Sequence, residues 1–175
     1  YLKIRNTARY ILGNLEDFDP KTDMVAYNDL CELDRWALMK LNDLVAKVIK
    51  GYDDYEFHVV LHAIHNFCVV DMSNFYLDVI KDRLYCEEKN GELRRSAQTA
   101  MYEILDALVR MIAPILCFTA DEIWQAMPHR DGDDAANIVL NTMPKVNPAW
   151  AFAEETSSKW DKLIALRDDV NKALE

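Results

Sequence analysis

The feature that most limits the possible folds of this chain is a series of long stretches in which apolar residues recur every three or four positions. The clearest stretch begins at Leu33 and is stopped by Gly51. This spacing lines one face of an α-helix, and a terminal glycine is typical of a helix C-terminus. The chain has only 4 glycines and 5 prolines in 175 residues, too few for the turns of a β-sandwich or barrel. We therefore predict an all-α fold, a bundle of about five to six helices.

Three further helices are predicted in the N-terminal two thirds of the chain. The first ends near Asp17, because Pro20 disfavours helix in the residue before it. The third is apolar almost all round, which predicts a central position in the bundle. The fourth carries its apolar residues in a single stripe at Ala97, Met101, Ile104, Leu108 and Met111. These predicted helices cover residues 2–17, 54–85 and 93–112.

The C-terminal part is predicted to contain a short helix, an irregular connection and a long amphipathic helix. Thr119 and Glu122 match a capping box, in which a hydroxyl and a carboxylate satisfy free amides at a helix start. Thr119 is therefore predicted to be an N-cap. In the connection, Ile138–Leu140 is compatible with an extended segment. The predicted division is a helical bundle at 1–127, an irregular connection at 128–148 and a final helix at 149–175.

The charge distribution bears on the type of partner. The formal net charge of −10 opposes binding to nucleic acid, because phosphate binding depends largely on Lys and Arg. However, the first twelve residues carry Lys3, Arg5 and Arg9 and no acid. A local basic surface on an acidic protein therefore stays possible, although a solvated helix face is the commoner explanation of such a run.

The cysteines and the apolar segments bear on cellular location. Four cysteines stand far apart without a Cys-x-x-Cys pair, which indicates reduced thiols rather than a disulfide framework or a zinc ribbon. No apolar run approaches the roughly 20 residues needed to cross a bilayer, and no signal-peptide core is present. We expect a cytoplasmic protein with no membrane partner. The helical pattern is already running at the first residue and still running at Glu175, as expected of an excised fragment.

A metal site is one alternative suggested by residue spacing. His58, His62 and His65 lie along one side of the third predicted helix, with Cys68 one step further. Two histidines four residues apart can bind zinc, but the zinc-protease pattern needs Glu directly after the first, where Val59 stands. Packed or groove-lining histidines are the competing interpretation. No glycine-rich phosphate loop or serine nucleophile elbow is present, so the residues themselves indicate no reaction.

Two clusters combine cations with amides and aromatic residues. The first predicted helix carries Lys3, Arg5, Asn6, Arg9 and Tyr10, and the start of the fourth carries Arg94, Arg95 and Gln98. Guanidinium groups pair with phosphates and stack on bases, and amides can read base edges of unpaired RNA. RNA binding and a helical protein-interaction or scaffold bundle both remain open at this point.

Eight strings of residues closely resemble the anticodon-binding domain of bacterial-type isoleucyl-tRNA synthetases, which belong to class Ia. They occur in the order and approximate spacing of that family. The strings are KIRNTARYILGNL (3–15), DFDP (17–20), LDRWA (33–37), YEFH (55–58), NFC (66–68), FYLDVIKDRLY (75–85), RRSAQT (94–99) and APILCFTADEIW (113–124). Valyl, leucyl and methionyl enzymes share this bundle and are the alternatives from close relatives, although 75–85 and 94–99 resemble the isoleucyl type.

The resemblance implies a function in tRNA binding rather than catalysis. It implies that this segment grips the anticodon stem-loop of isoleucine tRNA, in contact with the catalytic domain of the same parent chain, and that the final helix leads into a C-terminal junction region. The parent enzyme would attach isoleucine to its tRNA with ATP and Mg, and would hold zinc in a C-terminal module. The His-Ile-Gly-His and Lys-Met-Ser-Lys-Ser signatures are missing, so we expect the segment alone to be non-catalytic, without cofactor or metal, and monomeric.

Related synthetases place helix-one Arg and Asn, and an aromatic residue near the end of helix three, against anticodon bases. The resemblance therefore implies tRNA contacts by residues of three groups. They are Lys3, Arg5, Asn6 and Arg9; Phe75 and Tyr76; and Arg94, Arg95 and Gln98.

Overall fold

The computed structural model describes residues 1–174, and within that range the chain is helical with no β-strand. This confirms the predicted all-α class. The α-helices are α1 Leu2–Gly13, α2 Glu32–Asp53, α3 Phe57–Asn66, α4 Leu77–Val79, α5 Lys81–Cys86, α6 Glu92–Ile112, α7 Cys117–Ala126 and α8 Glu154–Leu174. A π-helix spans Phe67–Tyr76, and short 3-10 helices span Tyr27–Asp29, Ile138–Leu140 and Pro148–Trp150.

Helix α6 lies at the centre of the bundle. Fifteen of its 21 residues are buried, including the whole predicted apolar stripe, and α1, α2, α5 and α7 pack around it. The predicted third helix is central only in part. In α3 only Val60 and Ile64 are buried, whereas five of the ten residues in the following π-helix are buried. An apolar sequence makes burial favourable, but the number of neighbouring helices decides how much of it is buried.

The predicted third helix is broken into four pieces. The π-helix widens the turn by one residue, and Ser73 Oγ donates a hydrogen bond to the Cys68 carbonyl five residues earlier at 2.8 Å. A short α4 then leads through Ile80 into α5. π-helical turns are rare and are frequently found at functional sites. This distortion sets which residues between 67 and 86 face the core.

The turn between α2 and α3 has an unusual backbone. Tyr55 has φ +60 and is 81% exposed. Its N–H bonds the Tyr52 carbonyl at 3.1 Å, and the Glu56 N–H bonds the Gly51 carbonyl at 2.7 Å. These two bonds form a Schellman C-cap, whose left-handed position normally holds glycine. A tyrosine at this position is strained, and exposure leaves it little packing in return.

The C-terminal third differs from the prediction in three places. Helix α7 begins at Cys117 with Leu116 as its N-cap and no side-chain capping bond, so the capping box at Thr119 was wrong. The Ala120 N–H bonds the Leu116 carbonyl, which puts Thr119 inside the first turn. Ile138–Leu140 is a 3-10 helix rather than extended. The final helix begins at Glu154, not at residue 149.

Helix α8 lies on the outside of the bundle. None of its residues is buried, and an aromatic cluster attaches it to the rest. The Trp160 ring lies 6.3 Å from both Trp36 and Phe75, and its Nε1–H donates to Glu32 Oε1 at 3.0 Å. Across residues 1–174, no helix combines the length and the apolar character required to cross a membrane.

Candidate functional site

The predicted residues of α1 lie on an exposed surface. Ile4, Ala8 and Ile11 form its buried inner face. Lys3, Arg5, Asn6 and Arg9 are exposed, and their side chains form no ion pair with other residues in the 1–174 range. Three cations therefore face solvent on an acid-free helix, and their charge is available to a polyanion.

A groove runs between α1 and the segment that follows residue 72. Its deeper part encloses about 260 Å³ and is lined by Lys3, Asn6, Thr7, Tyr10, Ser73, Leu77, Asp78 and Lys81. A shallower part shares Asn6 and Tyr10 and continues to Arg9, Gly13, Asn14 and Tyr85. Arg5 lies on the same helix but is not among the lining residues. Sequence reasoning did not select Lys81, Asp78 or Tyr85, because no local pattern shows that they lie beside α1.

The groove combines the groups that bind unpaired nucleic acid. Tyr85 is 66% exposed and offers a ring for stacking, and the Asn6 amide can donate and accept at a base edge. Burial raises the pKa of the Tyr10 phenol above its ordinary value, so its hydroxyl stays protonated well above neutral pH. Lys3, Arg9 and Lys81 provide cations along the rim. An aromatic surface flanked by cations is the usual arrangement for single-stranded RNA.

The second predicted group, Phe75 and Tyr76, is buried in the core. Phe75 packs edge-to-face on Trp36 at 5.0 Å. Tyr76 is fully buried and its hydroxyl donates to Asp34 Oδ1 at 2.8 Å. In this conformation both rings are buried rather than exposed for stacking on a base, and contact of Phe75 or Tyr76 with tRNA stays a prediction. Both rings belong to the last turn of the π-helix, in which Phe67, Cys68 and Met72 are buried as well.

Asp34 links four elements. It is fully buried and accepts two hydrogen bonds from Arg83 at 2.9 Å and one from the Ser96 hydroxyl at 2.5 Å, besides that from Tyr76. These donors come from the π-helix, α5 and α6, whereas Asp34 belongs to α2. A buried carboxylate is tolerated only when its lone pairs are satisfied in this way.

The third predicted group ties α6 to the loop after α1. Arg94 donates to both Asp17 oxygens at 2.7 and 2.9 Å. Arg95 donates to the Asp17 carbonyl at 2.9 Å and lies 3.4 Å from an Asp23 oxygen. Gln98 is fully buried and donates to Asp17 Oδ1 and to the Asn14 carbonyl, both at 2.9 Å. The hydrogen bond from Arg94 is the main reason why the pKa of Asp17 is lowered to about 2.

These contacts use hydrogen-bond donors of Arg94, Arg95 and Gln98, the residues that were predicted to bind RNA. The depression beside Arg95 is also lined by Asp23, Asp29 and Glu92, which repel phosphate. In this structure Arg94, Arg95 and Gln98 connect α6 to the loop after α1, and their contact with tRNA stays a prediction.

The histidines of α3 do not form a packed cluster. His58, His62 and His65 are all exposed, whereas Cys68 is buried in the following π-helix. Within the described part of the chain, no three His, Cys, Asp or Glu side chains come together as a metal-binding group. The four cysteines, Cys31, Cys68, Cys86 and Cys117, are free thiols.

Comparison with known proteins gives two consistent findings. A family model described as the anticodon-binding domain of tRNA ligase matches residues 34–175. Along its full length, the chain is 55% identical to an isoleucine–tRNA ligase of Syntrophotalea carbinolica, 51% to one of Desulfitobacterium hafniense and 53% to one of Caldicellulosiruptor bescii. It covers 18%, 19% and 19% of those proteins, respectively, and so spans about a fifth of their length. Helix α1 precedes the match to the family model but lies within the match to these relatives.

Proposed function

Because the chain belongs to the family of anticodon-binding domains of tRNA ligases, we propose that it binds the anticodon stem-loop of isoleucine tRNA through α1 and the adjacent groove. The observation that carries this proposal is the unpaired cationic surface of α1 in a chain of net charge −10. Full-length identity of about 50% to isoleucine–tRNA ligases supports isoleucine as the specificity.

Each side chain of this surface has a chemical role in the proposal. Arg5 and Arg9 pair with backbone phosphates, because a guanidinium group presents a planar fork of donors that fits phosphate oxygens. Tyr85 stacks on an unpaired base of the loop, and Asn6 pairs with the edge of a base in the groove. Lys3 contributes charge at the start of α1. Phe75, Tyr76, Arg94, Arg95 and Gln98 act by holding the fold.

We also propose that the chain acts as one part of a longer ligase. In that proposal, the attachment of isoleucine, the use of ATP with Mg and the binding of zinc belong to other segments of the parent, and this segment contacts its catalytic domain. The segment by itself is monomeric and catalyses no reaction. A cytoplasmic location is proposed because its four cysteines are free thiols, as expected in a reducing compartment.

A direct test measures binding of a fluorescent anticodon stem-loop RNA by anisotropy at several salt concentrations. Binding is expected to be weak and salt-sensitive, because the net charge opposes it. The double variant Arg5→Ala/Arg9→Ala should weaken it about 10- to 100-fold at low salt, since two charge-assisted contacts are lost. The slope of log affinity against log salt should fall by about 1.4–1.8.

A matched control removes two exposed lysines elsewhere, with the variant Lys47→Ala/Lys145→Ala. Both residues are exposed, on α2 and on the connection before α8. The control changes the net charge equally and should weaken binding less than threefold. Equal losses in the two double variants would mean that only overall charge matters, and that α1 is not the binding surface.

A second RNA tests the specificity. It keeps the same stem and carries the anticodon loop of a valine tRNA. We expect at least about fivefold weaker binding to this RNA, because base contacts differ while phosphate contacts stay the same. Equal affinity would refute isoleucine specificity in this segment and leave RNA binding intact.

A further inference from the structure

Helix α8 makes a polar contact with the wall of the groove through Arg167, whose guanidinium carbon lies 5.8 Å from the centroid of the Phe75 ring. Arg167 Nη1 donates to the Asn74 carbonyl at 2.9 Å, and its Nη2 donates to Asp78 Oδ2 at 2.8 Å. Asn74 and Asp78 lie at the end of the π-helix and in α4. The last helix therefore reaches a residue that lines the groove beside α1.

Asp78 is the one acidic residue that lines either part of the groove within the 1–174 range. The other carboxylate oxygen, Oδ1, accepts a hydrogen bond from Lys81 Nζ at 2.8 Å. The hydrogen bond from Lys81 is the main cause of the lowered pKa of Asp78, and Arg167 adds to it. A negative charge thus stands in the wall of a surface proposed to bind a polyanion, with one cation on each oxygen.

The net charge of three residues determines whether the groove wall attracts or repels a phosphate. Together Lys81, Asp78 and Arg167 carry a net charge of +1, whereas Asp78 and Lys81 without Arg167 would carry none. Lys81 and Asp78 are about half exposed, and Arg167 is more shielded, with 30% of its side chain exposed. Charges at such positions act over roughly 8–10 Å at physiological salt, so they influence a phosphate bound in the groove that Asp78 and Lys81 line.

We propose that Arg167 of α8 is a positioning residue of the RNA-binding groove, where it and Lys81 neutralise Asp78 and keep the wall attractive to phosphate. This inference rests on the proposed function, because it concerns the same groove. The inference gives α8 a role in RNA binding. Neither its exposed position nor its distance from α1 along the chain indicates such a role.

The direction in which one substitution changes the affinity for RNA tests the inference. Asp78→Asn removes the negative charge and leaves Lys81 and Arg167 free to meet phosphate, so affinity for the anticodon stem-loop should rise about two- to fivefold at low salt. Had Asp78 only a structural role in holding α8, the same change would lower the affinity. Weaker binding by Asp78→Asn would overturn the inference.

The second arm removes the cation. Arg167→Ala should weaken binding about three- to tenfold, because Asp78 then repels phosphate with only Lys81 against it. The double variant Arg167→Ala/Asp78→Asn should return to within about twofold of the unmodified protein. Lys162→Ala is the control, since it removes an exposed cation from the same helix and should change affinity less than twofold. Helix content by circular dichroism reports whether α8 stays folded in each variant.

The outcomes separate this inference from the proposed function. If Arg5→Ala/Arg9→Ala weakens binding while the Asp78 and Arg167 variants leave it unchanged, the role of α8 is refuted and α1 remains the RNA-binding surface. If none of these variants changes binding, the groove itself is the wrong surface and both proposals fail. Failure of Asp78→Asn to rescue Arg167→Ala would also refute the charge mechanism, because a lost α8 contact would then explain the weakening.

Discussion

Replacing Asp34 by alanine would remove the acceptor of four hydrogen bonds, of which those from Tyr76 and Ser96 are buried and the two from Arg83 are partly buried. The Asp34 side chain is fully buried and that of Arg83 is 17% exposed. Removing one partner of a buried ion pair costs about 3–5 kcal/mol, because the other charge stays buried without compensation. The Tyr76 and Ser96 hydroxyls also lose their acceptor, but partial access of Arg83 to water offsets some of this. We expect a net loss of about 3–5 kcal/mol in the free energy of unfolding, a large share of the roughly 5–15 kcal/mol of a typical domain.

Urea unfolding followed by circular dichroism measures this loss, with Asp131→Ala as the matched control. Asp131 also pairs with a cation, Lys21 at 2.6 Å, but its side chain is 85% exposed. Ion pairs between exposed side chains contribute little to stability, so the control should leave the free energy of unfolding almost unchanged. Ser96→Ala, which removes one donor, should cost about 1–2 kcal/mol. A loss below about 1.5 kcal/mol for Asp34→Ala, or equal losses for the two aspartates, would refute the view that this network holds the four elements together.

Three other predictions concern pH and backbone geometry. Because Arg94 holds the pKa of Asp17 at about 2 against an ordinary 3.8, the stabilisation by Asp17 is complete above about pH 4 and lost as pH falls through 2. Stability should drop by on the order of 1–2 kcal/mol over this range, and urea titrations of Asp17→Asn should lack that drop. Tyr55→Gly should stabilise the fold by about 0.5–1 kcal/mol by relieving the left-handed backbone strain, whereas Tyr55→Ala, which keeps Cβ, should not; equal thermal unfolding of both variants would contradict this. Gly51→Ala should cost about 1 kcal/mol, because its Cβ would lie 2.8 Å from Val60 Cγ2, and Val60→Ala in the same chain should reduce that loss if the clash is its cause.

The helices that could be predicted are those whose signal is local. The stripe of α6 and the apolar positions of α2 are set by residues three and four apart, so their existence and approximate ends follow from the sequence. The π-helix at Phe67–Tyr76 could not be predicted in this way, since apolar residues spaced three or four apart predict a regular α-helix and do not indicate a change of turn. The capping box at Thr119 failed for a related reason, because a local motif competes with the turn that Pro114 and Leu116 impose.

Prediction of the candidate site from the sequence was also limited to features that are local in the chain. The α1 cations were found because they are close together in sequence and free of neighbouring acids. Arg94 and Arg95 are equally capable of binding phosphate. However, Arg94 donates a hydrogen bond to Asp17, which lies 77 residues earlier in the chain. Only the packing of α6 against the loop after α1 brings Arg94 and Asp17 together. Lys81 and Tyr85 lie beside α1 through a fold contact that joins Thr7 and Ser73, 66 residues apart.

The sequence by itself determined the helical class, the acid-free first helix and the order of the family strings, because helical periodicity and motif spacing act over a few residues. Only the tertiary structure decided which cations are free. Ion pairs and burial depend on residues far apart in the chain, and these contacts occupy Arg94, Arg95 and Gln98 while leaving Lys3, Arg5 and Arg9 exposed. The presence of an Arg in the sequence thus indicates the capacity to bind phosphate, and the absence of an intramolecular carboxylate partner makes that capacity available.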